Sequence, residues 1–148
     1  MKRGGWFFPA GYTLLELMIA ISVLLVFLPV SFSVIGDFES EVKLKREALC
    51  LQSEIRAMQL QAMTEAVFYE MRFEENLYRI YRRNVLIKKT FLEPGISFIG
   101  RYERLRFTYT GFPSAGMSIG LIAENGRKKY VIVNPAAGRV RISSTAAE

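Results

Sequence analysis

Between Leu17 and Ile35 the chain carries no charged residue, and Ser22, Ser31 and Ser33 are the only hydroxyls in that run. Extended back over Tyr12 to Leu15, the apolar stretch reaches about 24 residues, enough for a helix to cross roughly 30 Å of hydrocarbon. Lys2 and Arg3 precede it, and Asp37, Glu39 and Glu41 follow. The positive-inside rule then keeps the N-terminus in the cytoplasm and carries everything after Asp37 outside. A secretory signal peptide shares the positive start and apolar core, but no small-x-small cleavage site closes the run at Ser33 to Asp37. Glu16 suits neither a plain anchor nor a signal peptide. An ionised carboxylate inside an apolar block costs about 3 kcal/mol or more unless it is paired.

The composition excludes several kinds of chemistry. Zero His among 148 residues removes His-based acid/base catalysis, Ser-His-Asp and Cys-His dyads and His-containing zinc sites. A lone Cys50 closes no disulfide within one chain and builds no thiolate cage. No convergent carboxylate cluster is visible, so no catalytic, cofactor-binding or metal-binding residue is assigned.

Beyond the apolar run the periodicity is helical. Leu44, Ala48, Leu51, Ile55, Met58, Ala62 and Ala66 recur at intervals of three and four and mark one buried face of an amphipathic helix over residues 37–67. No Gly or Pro interrupts it after Gly36, so this helix continues the apolar one, in which Pro29 removes a backbone hydrogen bond and marks a kink or soft point. Cys50 lies within it and reads as a small buried or half-buried residue, with an intersubunit thiol contact as the other reading. After Val67 the period changes to that of strands. Val67–Phe73, Leu77–Arg82, Val85–Leu92, Ile96–Ile99, Leu105–Tyr109, Ser118–Ala123, Lys129–Val133 and Arg139–Ser143 are rich in β-branched and aromatic residues and are separated by turn residues. Asn125-Gly126 between two such runs predicts a hairpin. The fold class is α+β: a long N-terminal helix packed on an antiparallel sheet that needs the helix to complete its core. The organisation reads as 1–11 leader, 12–36 transmembrane helix, 37–67 amphipathic helix and 68–148 β-rich head.

Gly11-Tyr12-Thr13-Leu14-Leu15-Glu16, followed by Leu17-Met18-Ile19-Ala20-Ile21, resembles the class III signal of type IV pilins and type II secretion pseudopilins, with Tyr12 in place of the usual Phe. The resemblance implies cleavage between Gly11 and Tyr12 by a prepilin peptidase and N-methylation of Tyr12. It also implies that the carboxylate of Glu16 neutralises a new amino terminus, within a chain or between stacked subunits, which removes much of its desolvation cost. Further on, Leu105-Arg106-Phe107, Gly111-Phe112-Pro113-Ser114-Ala115-Gly116 and Gly138-Arg139-Val140-Arg141 resemble the C-terminal pattern of H-type minor pseudopilins, FimT-like minor pilins and ComGD-type minor pilins of competence pili. The resemblance implies a minor subunit of a filament that aids uptake of extracellular DNA in natural transformation. Its partners would be the major pilin, other minor pilins, the assembly platform and its ATPase, with the head outside a single membrane pass. An H-type pseudopilin of a type II secretion system is the alternative placement.

Charge placement bears on the ligand independently. Residues 37–71 carry four Lys/Arg against seven Asp/Glu, whereas residues 72–141 carry fourteen against five. Arg82-Arg83, Lys88-Lys89, Arg101-Arg104-Arg106, Arg127-Lys128-Lys129 and Arg139-Arg141 are clusters able to meet phosphate, with Tyr102, Tyr109 and Tyr130 near them in sequence. Arg139 and Arg141, two apart on a strand, share a face, and Gly-Arg-x-Arg resembles the motif through which FimT-like pilins bind DNA. The candidate DNA contacts are Arg139, Arg141, Arg127, Lys128 and Lys129. The competing reading is an ordinary solvated strand face, or one that meets anionic cell-wall polymer or a neighbouring subunit. A plain anchored binding domain leaves Glu16 unexplained, and an enzyme has only isolated Ser, Glu and Lys to work with.

Overall fold

The computed structural model describes residues 13–100, 102, 104–136 and 138–146, with only the backbone for 28–37. Gly11, Tyr12 and Arg101 lie outside the described residues, and Pro29 and Gly36 are described only as helical backbone. One helix, α1, runs Leu14–Thr64 and is followed by eight strands: β1 Tyr69–Glu74, β2 Leu77–Arg82, β3 Val85–Phe91, β4 Ile96–Phe98, β5 Leu105–Phe107, β6 Met117–Ala123, β7 Lys128–Val133 and β8 Val140–Ser143. The chain divides into two compact units, residues 1–36 and 37–148.

In the first unit α1 begins on Thr13, whose hydroxyl accepts a hydrogen bond from the Glu16 backbone N–H at 3.2 Å while its carbonyl accepts one from Leu17 at 3.1 Å. Thr13 is thus the N-cap, and Glu16 stands in the first turn, three residues on, where a capping-box acid belongs. From Leu14 to Phe27 this part of the helix presents large apolar side chains to its surroundings, Leu14, Leu15, Leu17, Met18, Ile19, Ile21 and Val23 among them. Apolar cover all round is the pattern of a helix whose surroundings are themselves apolar. The Ser22 hydroxyl donates to the Met18 carbonyl at 2.8 Å, so it is satisfied inside the helix. Among the described residues no helix is long and apolar enough to cross a membrane. The described side chains stop at Phe27, within a run that continues in sequence to Ile35.

In the second unit α1 turns Leu44, Ala48, Leu51, Ile55, Met58 and Ala62 into the core, each at most 1% exposed. Full burial of each Leu, Ile or Met side chain contributes about 1.5–3 kcal/mol, so this stripe is what joins the helix to the sheets. Ala66 departs from the expected stripe. It has φ 54° and is exposed, because the Val67 N–H bonds back to the Ala62 carbonyl at 3.2 Å and closes the helix in a left-handed cap. Val67, 5% exposed, takes its place in the core. Cys50 is also corrected, since it is exposed. At 100° per residue it falls about a quarter turn from Leu51 and well outside the arc of the buried stripe.

All eight strand-like runs form strands, but they make two sheets rather than one. Sheet A has the order β3-β2-β1-β5 and sheet B the order β4-β6-β7-β8, all antiparallel. The division falls at β5, which leaves β4 behind and pairs Met71 with Leu105 and Tyr69 with Phe107 across from β1. The sheets meet through Phe73 of β1, Phe98 of β4 and Tyr102, whose rings stand edge to face at 5.3–6.1 Å. The Tyr102 hydroxyl fastens the connection to sheet B, accepting from the Gly120 N–H at 2.7 Å and donating to the Gly120 carbonyl at 3.2 Å. Arg83 and Asn84, at φ 47° and 69°, form the two-residue turn between β2 and β3, the backbone that suits the twist of a hairpin. Asn125-Gly126 closes the β6–β7 hairpin, with the Ala123 N–H donating to the Arg127 carbonyl at 3.0 Å.

Candidate functional site

Alternation along β7 and β8 decides where the five candidate cations point. On sheet B the core side carries Ile119, Leu121, Val131, Val133 and Val140, all buried. The register sets Ser118 opposite Ile132 and Ile132 opposite Arg141, which places Arg141 on the other, outward face. Lys128, four residues before Ile132, shares that outward face, and Lys129 takes the opposite one beside Leu121.

The Gly138-Arg139-Val140-Arg141 segment is held from behind by α1. Gln52 Nε2 and Arg56 Nη2 both donate to the Val140 carbonyl, at 2.9 and 3.0 Å, and Gln59 Nε2 donates to the Gly111 carbonyl at 2.8 Å. Gly138 has φ 60°, and a Cβ there would lie 2.4 Å from Gln59 Nε2, so this position needs glycine both for its backbone and for the close approach of the helix. Val140 then points inward, and Arg139 and Arg141 on either side of it are exposed. Both line one hollow of about 640 Å³ with Gly116, Ser118, Asn134 and Pro135. Neither forms an ion pair with any described residue.

Three of the other basic clusters are divided by acids of α1 and of the turn that ends it. Glu41 pairs with Arg127, Glu54 with Lys88 and Glu65 with Arg82 at 2.6 Å. In each of these clusters one cation is therefore engaged by such an acid, while Arg83, Lys89 and Lys128 form no ion pair with any described residue. Lys89 lies over the Phe91 ring at 4.6 Å. The candidate set thus separates: Arg139, Arg141 and Lys128 share one face, whereas Arg127 is engaged with Glu41 and Lys129 faces the other way. Sequence reading overlooked that the acidic stretch of the helix is the counter-charge of the head. The signal was present in residues 37–71, where seven acids outnumber four cations and five of the seven, Asp37, Glu39, Glu41, Glu47 and Glu54, lie in α1.

The sequence profile described as the prokaryotic N-terminal methylation motif matches residues 9–28, a span that includes Gly11, Tyr12 and Glu16. In fold the chain is similar to the type IV minor pilin FimU of Pseudomonas aeruginosa, with a TM-score of 0.61 and 13% identity over 75% of this chain and 97% of that one. A second crystal form of FimU gives a TM-score of 0.57. The minor pseudopilin EpsH from the type 2 secretion system of Vibrio cholerae is similar at a TM-score of 0.57 and 12% identity, over 68% of this chain and 96% of that one. The chain thus carries the N-terminal methylation motif over residues 9–28 and has the fold of these minor pilins and pseudopilins. No curated protein matches it in sequence.

The helix α1 has a further exposed feature. Phe38, Val42, Leu49, Leu60 and Met63 are 45–71% exposed, and their spacing sets them on one side of the helix, well away from the buried stripe. This second apolar face has no partner among the described residues. Cys50 lies on the exposed surface of the same helix.

Proposed function

We propose that this chain is a minor pilin of a competence pilus that takes part in the uptake of extracellular DNA. In this reading a prepilin peptidase cuts between Gly11 and Tyr12, Tyr12 is methylated, and residues 12–36 anchor the subunit in the membrane with residues 37–148 outside it. Glu16 lies four residues from the new amine and in the first turn of α1, where the helix dipole also favours a carboxylate. Assembly with the major pilin and other minor pilins would cover the exposed apolar face of Phe38, Val42, Leu49 and Leu60, and the platform protein and its ATPase would drive it. The subunit itself performs no reaction.

The observation that carries the DNA reading is the pairing of Arg139 and Arg141 on one outward hollow, free of described carboxylates and fixed from behind by Gln52, Arg56 and Gln59. Guanidiniums so placed meet neighbouring phosphates without having to leave an internal partner. The test is DNA binding by the full-length chain in detergent micelles over a range of salt. Wild-type protein should bind duplex DNA at low salt, and Arg139→Ala with Arg141→Ala should weaken binding and lower the slope of log K against log salt by about 2. Absence of wild-type binding at low salt rejects the reading. A second placement, a minor pseudopilin of a type II secretion system, is favoured by the similarity of fold to EpsH; it predicts defective protein export rather than defective transformation when the gene is deleted.

A further inference from the structure

The outward face of sheet A holds a cluster that the Arg139 and Arg141 hollow does not include. Tyr69 and Met71 of β1 fill the core, so Glu70 between them points outward, yet it is fully buried. Arginines cover it. Arg106 donates to its Oε2 from Nε at 3.1 Å and Nη2 at 2.7 Å, Arg72 Nε donates to Oε1 at 2.6 Å, and Arg104 Nη1 stands 3.8 Å from Oε2. Burial on its own pushes the Glu70 carboxyl up, but the hydrogen bonds and charges of Arg106 and Arg72 outweigh it and hold the group below the usual carboxylate range. Three guanidiniums on one carboxylate leave a local excess of two positive charges. Two of the three also lie over rings, Arg72 over Tyr81 at 4.3 Å and Arg106 over Phe68 at 5.0 Å. Each is still 38–61% exposed and keeps N–H donors turned away from Glu70.

Hollows flank this cluster on both sides. One of about 500 Å³ is lined by Phe68, Arg83, Arg106, Thr108 and Tyr109, and Tyr109 is 65% exposed. The other, of about 420 Å³, is lined by Arg72, Phe73, Glu74, Tyr102 and Arg104, and the Glu74 carboxylate there is paired with Arg79. Fixed guanidiniums thus alternate with ring faces along the sheet. Guanidiniums suit phosphates, while an exposed ring beside them suits a flat unpaired base, which a duplex keeps inside its stack.

We propose that the outward face of sheet A is a second polyanion site, one that takes an unpaired nucleic-acid strand, with phosphates on Arg72, Arg104 and Arg106 and a base in the hollow between Phe68 and Tyr109. It rests on the proposed DNA role only for the class of ligand and uses none of its residues. Glu70 acts as a positioning residue that keeps the guanidiniums in place.

The test uses the full-length chain in micelles with a fluorescein-labelled 20-nucleotide single strand and the corresponding duplex, read by anisotropy. Arg83→Glu with Tyr109→Ala leaves Glu70 and its three partners intact; it should weaken single-strand binding about tenfold and duplex binding less than threefold. Arg104→Gln, removable without stranding Glu70, should weaken single-strand binding about three- to fivefold. Single-strand affinity unchanged in both variants overturns the proposal. If Arg139→Ala with Arg141→Ala instead removes binding of both nucleic acids, sheet A is not a site and the proposed function still stands. If wild-type protein binds the single strand but not the duplex, and Arg83→Glu with Tyr109→Ala removes it, the sheet A site stands and the Arg139/Arg141 reading fails. Vesicles of phosphatidylglycerol form the control arm: variants that lose vesicle binding but keep the single strand mark a lipid-headgroup surface and overturn the proposal.

Discussion

The two sheets of this small head both turn arginines outward, but they hold them in different ways. On sheet A, Arg72, Arg104 and Arg106 are gathered on the buried carboxylate of Glu70 and lie against aromatic rings. On sheet B, Arg139 and Arg141 stand on either side of the buried Val140, with no carboxylate among their described neighbours, and it is the backbone beneath them that is tied to the helix. An internal counter-charge fixes guanidinium geometry and makes those arginines part of the stability of the fold. Arginines without one are held only by their strand, and their charge is available in full to an outside ligand. The same residue type is therefore part of an internal charge network on one sheet and open to the surroundings on the other.

Removing the counter-charge gives the largest expected effect. Glu70→Ala should cost about 3 kcal/mol of unfolding free energy, because hydrogen bonds to charged groups are lost and three guanidiniums are left crowded together. Arg139→Ala with Arg141→Ala should stay within about 0.5 kcal/mol of wild type, as surface changes away from such features do. Chemical unfolding of the detergent-solubilised chain measures both, and equal costs would erase the distinction between the sheets. Next in size is Gly138→Ala, which forces a Cβ onto Gln59 at a left-handed backbone position. It should cost about 1–2 kcal/mol and disturb the Arg139/Arg141 hollow while leaving sheet A untouched. A loss of duplex binding with single-strand binding retained is the expected pattern in the anisotropy assay.

The smallest effect is in acid. Because Glu70 is held below the usual carboxylate range in the fold, its contribution is fully present above the unfolded value near pH 4.3 and is lost as pH falls through the folded value. Thermal unfolding scanned downward from pH 6 should show a loss of stability below about pH 4.3 that Glu70→Gln shows less steeply. Identical slopes in the two proteins would mean that Glu70 is not the group being protonated.

Much of the architecture was legible because local pattern determines it. The Leu44 to Ala62 stripe and the eight strand runs follow from side-chain period and turn chemistry, and the Asn125-Gly126 hairpin follows from two residues. What escaped depends on which strands meet. That β5 pairs with β1 and splits the strands into two sheets is a matter of long-range register, which period alone does not encode. In sequence Glu70 is one acid of the strand run Val67–Phe73, with no sign of its partners. Only after β1, β2 and β5 are aligned does it come to face Arg106 and Tyr81. Of the five cations marked for DNA, sequence alternation correctly set Arg139 and Arg141 together, whereas the capture of Arg127 by Glu41, 86 residues away, could not be read from spacing. Ala66 and Cys50 were misplaced for a simpler reason: a stripe read off a helical wheel says nothing of where the cap falls or how wide the buried arc is.

The processing and membrane anchoring proposed for this chain are decided by the intact mass of the protein extracted from membranes of its own cells. The proposed processing leaves a species lacking residues 1–11 and carrying one added methyl group on Tyr12. An intact N-terminus, or a chain cut near Ser33, would contradict it.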